Sequence, residues 1–249
     1  VRLIIKEARL ARTAIRIGVN AGSLSPESLA QAKGDTAEAM ILSIEEHLRV
    51  LEEEGFRDII VSLKSSDPLE TIDVCRRFAE RWDYPQHLGI TEAGSRWSGT
   101  IRSAVGLGVL LFHGIGDTIR ISLTGDPVDE VKAAYEILKA LGLRERGPLI
   151  ISCPTCGRCQ IDLVRLVAAV EEATKDLSIP LRLAVMGCVV NGPGEARRAD
   201  LGIAGGKDQG VIFREGKVIR KEREENLLPA FINELNNLLT SMKDHKEVL

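Results

Sequence analysis

Four of the five cysteines are spaced so that their thiolates could share one metal ion or cluster. Cys153, Cys156 and Cys159 form a Cys-x2-Cys-x2-Cys run, and Cys188 follows in the segment MGCVVNGPGE. Thiolates separated by two residues on a turn can converge on one centre, and a distant cysteine can close it from another strand end. The spacing favours an iron–sulfur cluster, but it leaves open a structural zinc site or a thiol redox pair.

A Gly-rich turn, NGPGEA, places one carboxylate close in sequence to Cys188. Its two glycines and Pro193 predict a tight turn that ends at Glu195. The spacing alone is typical of a solvated turn glutamate. The other interpretation is an oxygen ligand, and because hard oxygen holds a cluster iron less firmly than thiolate does, such a ligand could exchange with a substrate.

Repeated strand-plus-helix units precede the cysteines. Successive units are mostly about thirty residues apart, the length of one βα unit in a parallel α/β fold. Apolar β-type runs lie at 14–20, 57–64, 86–92 and 118–124, and helical stretches lie near 35–54, 67–82, 98–112 and 127–142. Asp35 and the SSDP segment at 65–68 predict two of the helix starts. Such units could form a small doubly wound sheet or half of a (β/α)8 barrel.

Polar residues near the ends of these runs favour the barrel. They are Asn20, Lys64, Glu92 and the pair Arg120 and Ser122. In a (β/α)8 barrel the carboxyl ends of the strands build the active site, so polar residues at the same position of four repeats predict one shared site. Taken singly, each could be an ordinary strand-end residue that faces water.

The pattern changes after GLRERGP (142–148). Short strands surround a helix at about 160–176, a closing helix runs from Glu224 to Met242, and FREGKV is typical of a hairpin turn. We therefore predict two domains, a C-terminal half of a (β/α)8 barrel at 1–146 and a small α+β domain with antiparallel pairing at 147–249.

Composition excludes several classes of protein. Thirty-three basic and thirty-six acidic residues give a net charge of −3, and no block of like charge indicates a nucleic-acid partner. No apolar run approaches the roughly 18 residues of a membrane span, and the N-terminus lacks a signal-peptide pattern. Five cysteines in 249 residues do not indicate an extracellular disulfide framework. We expect a soluble, cytoplasmic protein.

Six motifs, in order, resemble the 4-hydroxy-3-methylbut-2-enyl diphosphate synthase family. They are RIGVNAGSL (16–24), VSLKSSD (61–67), HLGITEAG (87–94), GIGDTIRISLTGDP (114–127), CPTCGR (153–158) and MGCVVNGPGEA (186–196). The resemblance implies a (β/α)8 barrel joined to a C-terminal domain that holds a 4Fe-4S cluster. It also implies a head-to-tail homodimer, in which the cluster of one subunit covers the barrel mouth of the other.

The resemblance assigns the cluster ligands residue by residue. The family's three cysteines and one glutamate fall on Cys153, Cys156, Cys188 and Glu195. Cys159 stands where the family requires no cysteine and is interpreted as a neighbour. Cys75, from its place in a helical stretch, is interpreted as a buried helix residue.

The family's reaction assigns roles to the strand-end residues. It converts 2-C-methyl-D-erythritol 2,4-cyclodiphosphate to 4-hydroxy-3-methylbut-2-enyl diphosphate, with loss of water and with two electrons from ferredoxin or flavodoxin. Arg16 and Lys64 are expected to hold the diphosphate through charge-assisted hydrogen bonds. Asn20 and Ser122 are expected to add neutral donors.

The remaining roles concern proton and ligand exchange. Glu92 is the candidate proton donor to the leaving hydroxyl, which requires a carboxyl whose pKa is raised by burial or nearby negative charge. Glu195 is expected to release its iron to the substrate oxygen. His87 and His113 are interpreted as structural residues.

Two other classes of protein fit the cysteines, and the sequence departs from the family in one respect. A structural zinc protein with a phosphate-binding barrel fragment, or a simple electron carrier, would also fit the cysteines by themselves. The sequence begins at Val1 inside a helical pattern, whereas the family carries four βα units before RIGVNAGSL. We therefore expect a truncated copy with exposed strand edges and poor activity by itself.

Overall fold

Helices and strands alternate along the chain, which the computed structural model describes at residues 1–189, 194 and 196–246. The chain divides into two units, Val1–Arg144 and Glu145–Leu249. The first contains α1 (Arg2–Ala11), β1 (Ile15–Asn20), a 3-10 helix (Ala21–Ser23), α2 (Pro26–Gln31), α3 (Thr36–Glu53), β2 (Ile59–Lys64), α4 (Pro68–Arg81), β3 (His87–Leu88), α5 (Arg96–Phe112), β4 (Thr118–Ile119) and α6 (Pro127–Ala140). The second contains β5 (Leu149–Ser152), α7 (Leu163–Thr174), β6 (Arg182–Met186), β7 (Leu201–Ala204), β8 (Gln209–Arg214), β9 (Lys217–Arg223) and α8 (Glu224–Lys246).

The four strands of the first unit are parallel and neighbour one another in chain order. β1 pairs with β2, and β3 pairs with β4. A bridge between Val61 and Gln86 joins the two pairs. The α/β repeat that the sequence predicts is therefore present, and each strand is followed by a helix.

Side chains that alternate along these strands form one polar face. The pairing register aligns Asn20 with Lys64, and His87 with Thr118. The Val61–Gln86 bridge aligns Ser62 with His87 in the next step. What we call the polar face consists of Arg16, Asn20, Ser62, Lys64, His87, Thr118 and Arg120.

Helix starts in the first unit follow local chemistry. Asp35, Asp67 and Asp126 each accept a hydrogen bond from a backbone N–H in the first turn of α3, α4 and α6. This satisfies donors that have no partner within the helix. Pro68 and Pro127 occupy the first helical position, where their missing N–H costs nothing. Both predicted helix starts, at Asp35 and in SSDP, are confirmed.

The apolar faces of α3, α4 and α5 cover the side of the strands opposite the polar face. The largest fully buried side chains there include Met40, Ile44, Phe78, Leu107 and Leu110. Cys75 of α4 belongs to the same core, as predicted, and burial raises the pKa of its thiol to about 12. A neutral thiol at that position is a packing group rather than a nucleophile.

The second unit has one five-stranded sheet in the order β5-β6-β7-β8-β9. Here the prediction of antiparallel pairing is wrong for half of the sheet, because β5, β6 and β7 are parallel. The helix α7 carries the chain back between β5 and β6, which makes parallel pairing possible. The hairpin between β8 and β9 is confirmed, and its turn residues Glu215 and Gly216 both have positive φ.

Two apolar clusters lie on the second sheet. One includes residues of α7 and α8, among them Val170 and Phe231. The other includes Met186 and Phe213. Across the described part of the chain, no helix combines the length and apolar character needed to cross a bilayer.

Candidate functional site

Four basic side chains come together on the polar face. Arg16 is the second residue of β1, Lys64 ends β2, His87 begins β3, and Arg120 directly follows β4. The positive charges of Arg16 and Arg120 act on both Lys64 and His87, and Lys64 acts on His87. Residues up to about a hundred positions apart in the sequence therefore share one positive field.

Lys64 is the most confined of these cations. Only 7% of the residue is exposed, and its ammonium donates a hydrogen bond to the Ser62 hydroxyl. Burial first, and then the charges of Arg120 and Arg16, lower the pKa of Lys64 to about 8. An ammonium held in such a field gains when an anion arrives, because the negative charge offsets the repulsion and favours the charged form of the buried group.

His87 lies in the same field and is 8% exposed. Its Nδ1 is 2.8 Å from the Thr118 hydroxyl oxygen. Burial first, and then Lys64, Arg16 and Arg120, lower the pKa of His87 to about 4. The sequence did not show that His87 lies beside the basic side chains, and its interpretation as a structural residue stays a prediction. The sequence signal for this position was spacing. His87 precedes Gly89 of HLGITE by two residues, so the two residues share one face of the strand.

Gly89 allows Lys64 to occupy its place. A Cβ on Gly89 would lie 2.9 Å from Cε of Lys64 and 2.8 Å from the carbonyl oxygen of Arg120. Both distances are shorter than normal van der Waals contacts. The absence of a side chain therefore lets the lysine stem and the neighbouring strand approach β3 closely.

The predicted neutral donors have different positions. Asn20 ends β1 directly opposite Lys64 in the register. Ser122 lies two residues beyond Arg120, outside the paired part of β4, and is half-buried. Of the two, Asn20 is tied by pairing to the basic side chains.

Glu92 lies in the turn after β3. Its φ is 51°, a left-handed conformation that is uncommon for a non-glycine residue and often found at functional turns. The residue is exposed. The burial that its predicted role as proton donor requires is not provided by the turn itself.

The second unit places predicted ligands at one sheet edge. Cys153 directly follows β5, and Cys188 follows β6 after one glycine. Because β5 and β6 are parallel, both cysteines leave the sheet at the same end. The N–H of Gly187 donates to the Cys153 sulfur at 3.2 Å, which ties the two loops together.

Cys156 and Cys159 lie in the loop after β5. Cys156 is exposed, and its carbonyl accepts a hydrogen bond from the Cys159 N–H at 2.9 Å. The Cys159 thiol donates to the Ile161 carbonyl at 3.3 Å and packs so closely on Gly187 that a Cβ there would be 2.6 Å from its sulfur. Cys159 is thus engaged in local packing, and its interpretation as a neighbour of the ligands stays a prediction.

The fit of these residues to an iron–sulfur cluster depends on the chemistry of the donors. Cys153, Cys156 and Cys188 are soft thiolate donors in loops at one sheet edge, which suits a cluster. Glu195, the expected fourth ligand, lies outside the described residues. Among the residues that are described, no three His, Cys, Asp or Glu side chains are already arranged around a metal position.

Comparison with known proteins covers both units. Residues 1–135 match the family model described as the GcpE TIM-barrel domain, and residues 149–237 match the model of the GcpE protein C-terminal domain. These matches agree with the family resemblance found in the motifs.

Three relatives bear the name 4-hydroxy-3-methylbut-2-en-1-yl diphosphate synthase (flavodoxin). The protein from Geobacter sulfurreducens is 55% identical over 95% of this chain and 67% of its own length. Those from Lawsonia intracellularis and Nitratidesulfovibrio vulgaris are 53% and 51% identical over 95% and 98% of this chain, and 66% and 64% of their own lengths. The chain thus spans about two thirds of the length of these relatives.

Replacing the buried ammonium should stabilise the protein. We predict that Lys64→Met raises the free energy of unfolding at pH 7 by about 1 to 3 kcal/mol, because a pKa lowered from 10.5 to about 8 means that the charged form is disfavoured in the fold. The gain should be constant below pH 8 and shrink toward pH 10.5, as the folded wild type loses the proton that the unfolded chain retains. Urea unfolding across this range measures it.

The matched control for that substitution is Lys6→Met, on the exposed face of α1. It should change the free energy of unfolding by less than about 0.5 kcal/mol. A Lys64→Met protein that is less stable than wild type at every pH would contradict the uncompensated charge.

Adding one methyl group at Gly89 should disturb the basic side chains. We predict that Gly89→Ala lowers the free energy of unfolding by about 1 to 3 kcal/mol, since the new Cβ overlaps Lys64 and the Arg120 carbonyl. Displacement of Lys64 should also weaken binding of inorganic pyrophosphate, measured by calorimetry. Gly108→Ala on α5 is the control, because a Cβ there meets open space and a helix gains from alanine. Equal effects at the two glycines would refute the crowding.

Proposed function

The chain belongs to the GcpE family, and we propose that it carries the phosphate-binding and cluster-binding parts of a 4-hydroxy-3-methylbut-2-enyl diphosphate synthase. The observation that supports this most is the group of Arg16, Lys64, His87 and Arg120 on one face of a parallel sheet. Such a concentration of positive charge, partly buried, matches a diphosphate better than a neutral or cationic ligand.

The proposed substrate is 2-C-methyl-D-erythritol 2,4-cyclodiphosphate. Arg16 and Arg120 can each bind phosphate oxygens with two N–H groups, and Lys64 contributes a compact point charge between them. Asn20 and Ser122 add neutral donors. Binding would restore the charged form of Lys64 fully, so the substrate and the lysine stabilise each other.

The proposed architecture extends the same reasoning. The parallel βα units of the first part would form the C-terminal half of a (β/α)8 barrel, at 1–146, and 147–249 would form the cluster domain. The polar face then becomes the inner wall of the barrel. We propose a homodimer in which the cluster domain of one subunit covers the barrel mouth of the other, which would also bury the exposed Glu92 against a second surface.

Cys153, Cys156, Cys188 and Glu195 are the proposed ligands of a 4Fe-4S cluster. When bound, the cluster would supply two electrons in single steps, delivered by flavodoxin or ferredoxin, and a Lewis-acid iron. The protein's own groups would do the rest: the basic side chains would hold the diphosphate, Glu92 would hold a proton for the departing hydroxyl, and Glu195 would be the exchangeable oxygen ligand of the cluster.

Anion recognition provides the direct test of this function. We predict that the chain binds the cyclodiphosphate, and that Arg120→Met weakens binding about 10- to 100-fold, the loss expected for charge-assisted hydrogen bonds. Arg102→Met, on the exposed surface of α5, should leave the affinity unchanged. Equilibrium titration of wild type and both variants measures this. Equal affinities in all three would exclude the polar face as the binding site.

Metal analysis tests the second unit separately. After anaerobic reconstitution we predict a brown protein with about four iron and four sulfide per chain. Cys153→Ser and Glu195→Ala should lose iron or hold it less firmly, whereas Cys159→Ser should retain the full content, since that thiol is engaged with Ile161 and Gly187. A colourless, zinc-loaded protein would contradict the cluster. Loss of iron in Cys159→Ser together with full iron content in Glu195→Ala would indicate an all-cysteine ligand set.

A further inference from the structure

His87 is the one neutral member of the basic group, and charged or polar groups from three neighbouring strands face it. From β1 it faces the Arg16 charge, from β2 Lys64 and the aligned Ser62, and from the β4 segment Thr118 and Arg120. Behind the strands, α4 contributes the buried thiol of Cys75, which acts on Lys64. The electrostatic groups that act on His87 itself are therefore positive.

Two acidic residues flank the strands around His87, and neither carboxylate acts on its ring. Asp117, which precedes β4, accepts a hydrogen bond from the backbone N–H of Gln86 at 2.8 Å. Glu92 is exposed in the turn beyond β3. Neither is among the groups that act on the His87 ring. An anion that enters the polar face would thus bring the negative charge that this ring lacks.

The Thr118 hydroxyl fixes one side of the ring. With Nδ1 2.8 Å from that oxygen, Nε2 is the nitrogen that remains for a ligand. A neutral imidazole has one donor and one acceptor nitrogen, whereas the protonated ring donates from both. In the protonated ring Nδ1 donates to Thr118 and Nε2 can donate to a phosphate oxygen.

We propose that His87 is a fourth anion ligand of the polar face and takes up a proton from solvent when a diphosphate binds. The inference rests on the proposed function of this site as a diphosphate site. The step is a protonation only: neutral His87 and one proton from the buffer give an imidazolium, and no other bond is formed or broken. The free site then has three cations, which limits their repulsion, and the occupied site has four.

The physical reason is a reversal of the local field. Without a ligand, burial and three cations disfavour the imidazolium. A bound diphosphate adds negative charge at hydrogen-bond distance, and an opposite charge that close commonly shifts a pKa by 1 to 3 units. Protonation of His87 therefore becomes favourable at a pH where the free site keeps the ring neutral.

Carbon-13 NMR of the histidine Cε1 positions tests the proposal on the full chain. The four histidines give few signals, and His87→Gln assigns the relevant one. We expect the His87 midpoint near pH 4 in the free protein and at least about one unit higher with saturating inorganic pyrophosphate. The exposed His47 and His113 serve as internal references and should not shift comparably. In Lys64→Met without pyrophosphate, the His87 midpoint should rise, because one cation is gone.

A pH profile of affinity provides a second readout that a structural role would not move. The ratio of wild-type to His87→Gln affinity for pyrophosphate should be near one at pH 8 and about two- to tenfold at pH 5, for an upward shift of about one to two units from the free value. His47→Gln should give a ratio of one throughout. Taking the ratio cancels the ionisation of pyrophosphate itself.

The outcomes separate the two proposals. Binding of pyrophosphate with an unmoved His87 midpoint would overturn the role of His87 and leave the proposed diphosphate site standing. Absence of pyrophosphate binding to the wild type would overturn both. A raised midpoint together with a pH-dependent affinity ratio supports both.

Discussion

Repulsion of one buried ammonium, that of Lys64, by neighbouring cations is the constraint on which this molecule's first unit depends. Arg16, Lys64 and Arg120 lie on one face, and the strongest effects on Lys64 after burial come from the two arginines. Such an arrangement costs free energy in the unliganded fold. The apolar packing of α3, α4 and α5 on the opposite side of the strands offsets that cost, so the cations remain available for an anion.

Parallel strand pairing is what assembles both candidate sites. In the first unit it aligns residues of four successive βα units. Because Gly89 has no side chain, Lys64 can approach β3 closely. In the second unit it brings Cys153 and Cys188 to one sheet edge, where the Gly187 N–H contacts the Cys153 sulfur. Charged side chains and soft thiolates are thus positioned by the same backbone geometry, each within its own unit.

The sequence predicted what local pattern and motif determine, and missed what depends on pairing between distant segments. The βα repeat, the helix starts at Asp35 and Pro68 and the burial of Cys75 follow from periodicity and capping, and the structure confirms them. The parallel pairing of β5, β6 and β7 was missed, because a short apolar strand has the same sequence pattern in parallel and in antiparallel sheets. The position of His87 beside the basic side chains was missed because its neighbours on the face come from other strands. The exposure of Glu92 depends on contacts from other segments, and the sequence of its own turn does not determine those contacts.

The protonation of Lys64 tests the central claim, an uncompensated buried cation that awaits a diphosphate, most directly. Carbon-13 NMR of the lysine Cε positions, assigned with Lys64→Met, follows its titration in the free chain and with saturating inorganic pyrophosphate. We predict a midpoint near pH 8 without the anion, well below the ordinary value of 10.5, and a clear upward shift with it. A free midpoint at the ordinary value, or no shift on addition of pyrophosphate, would contradict it.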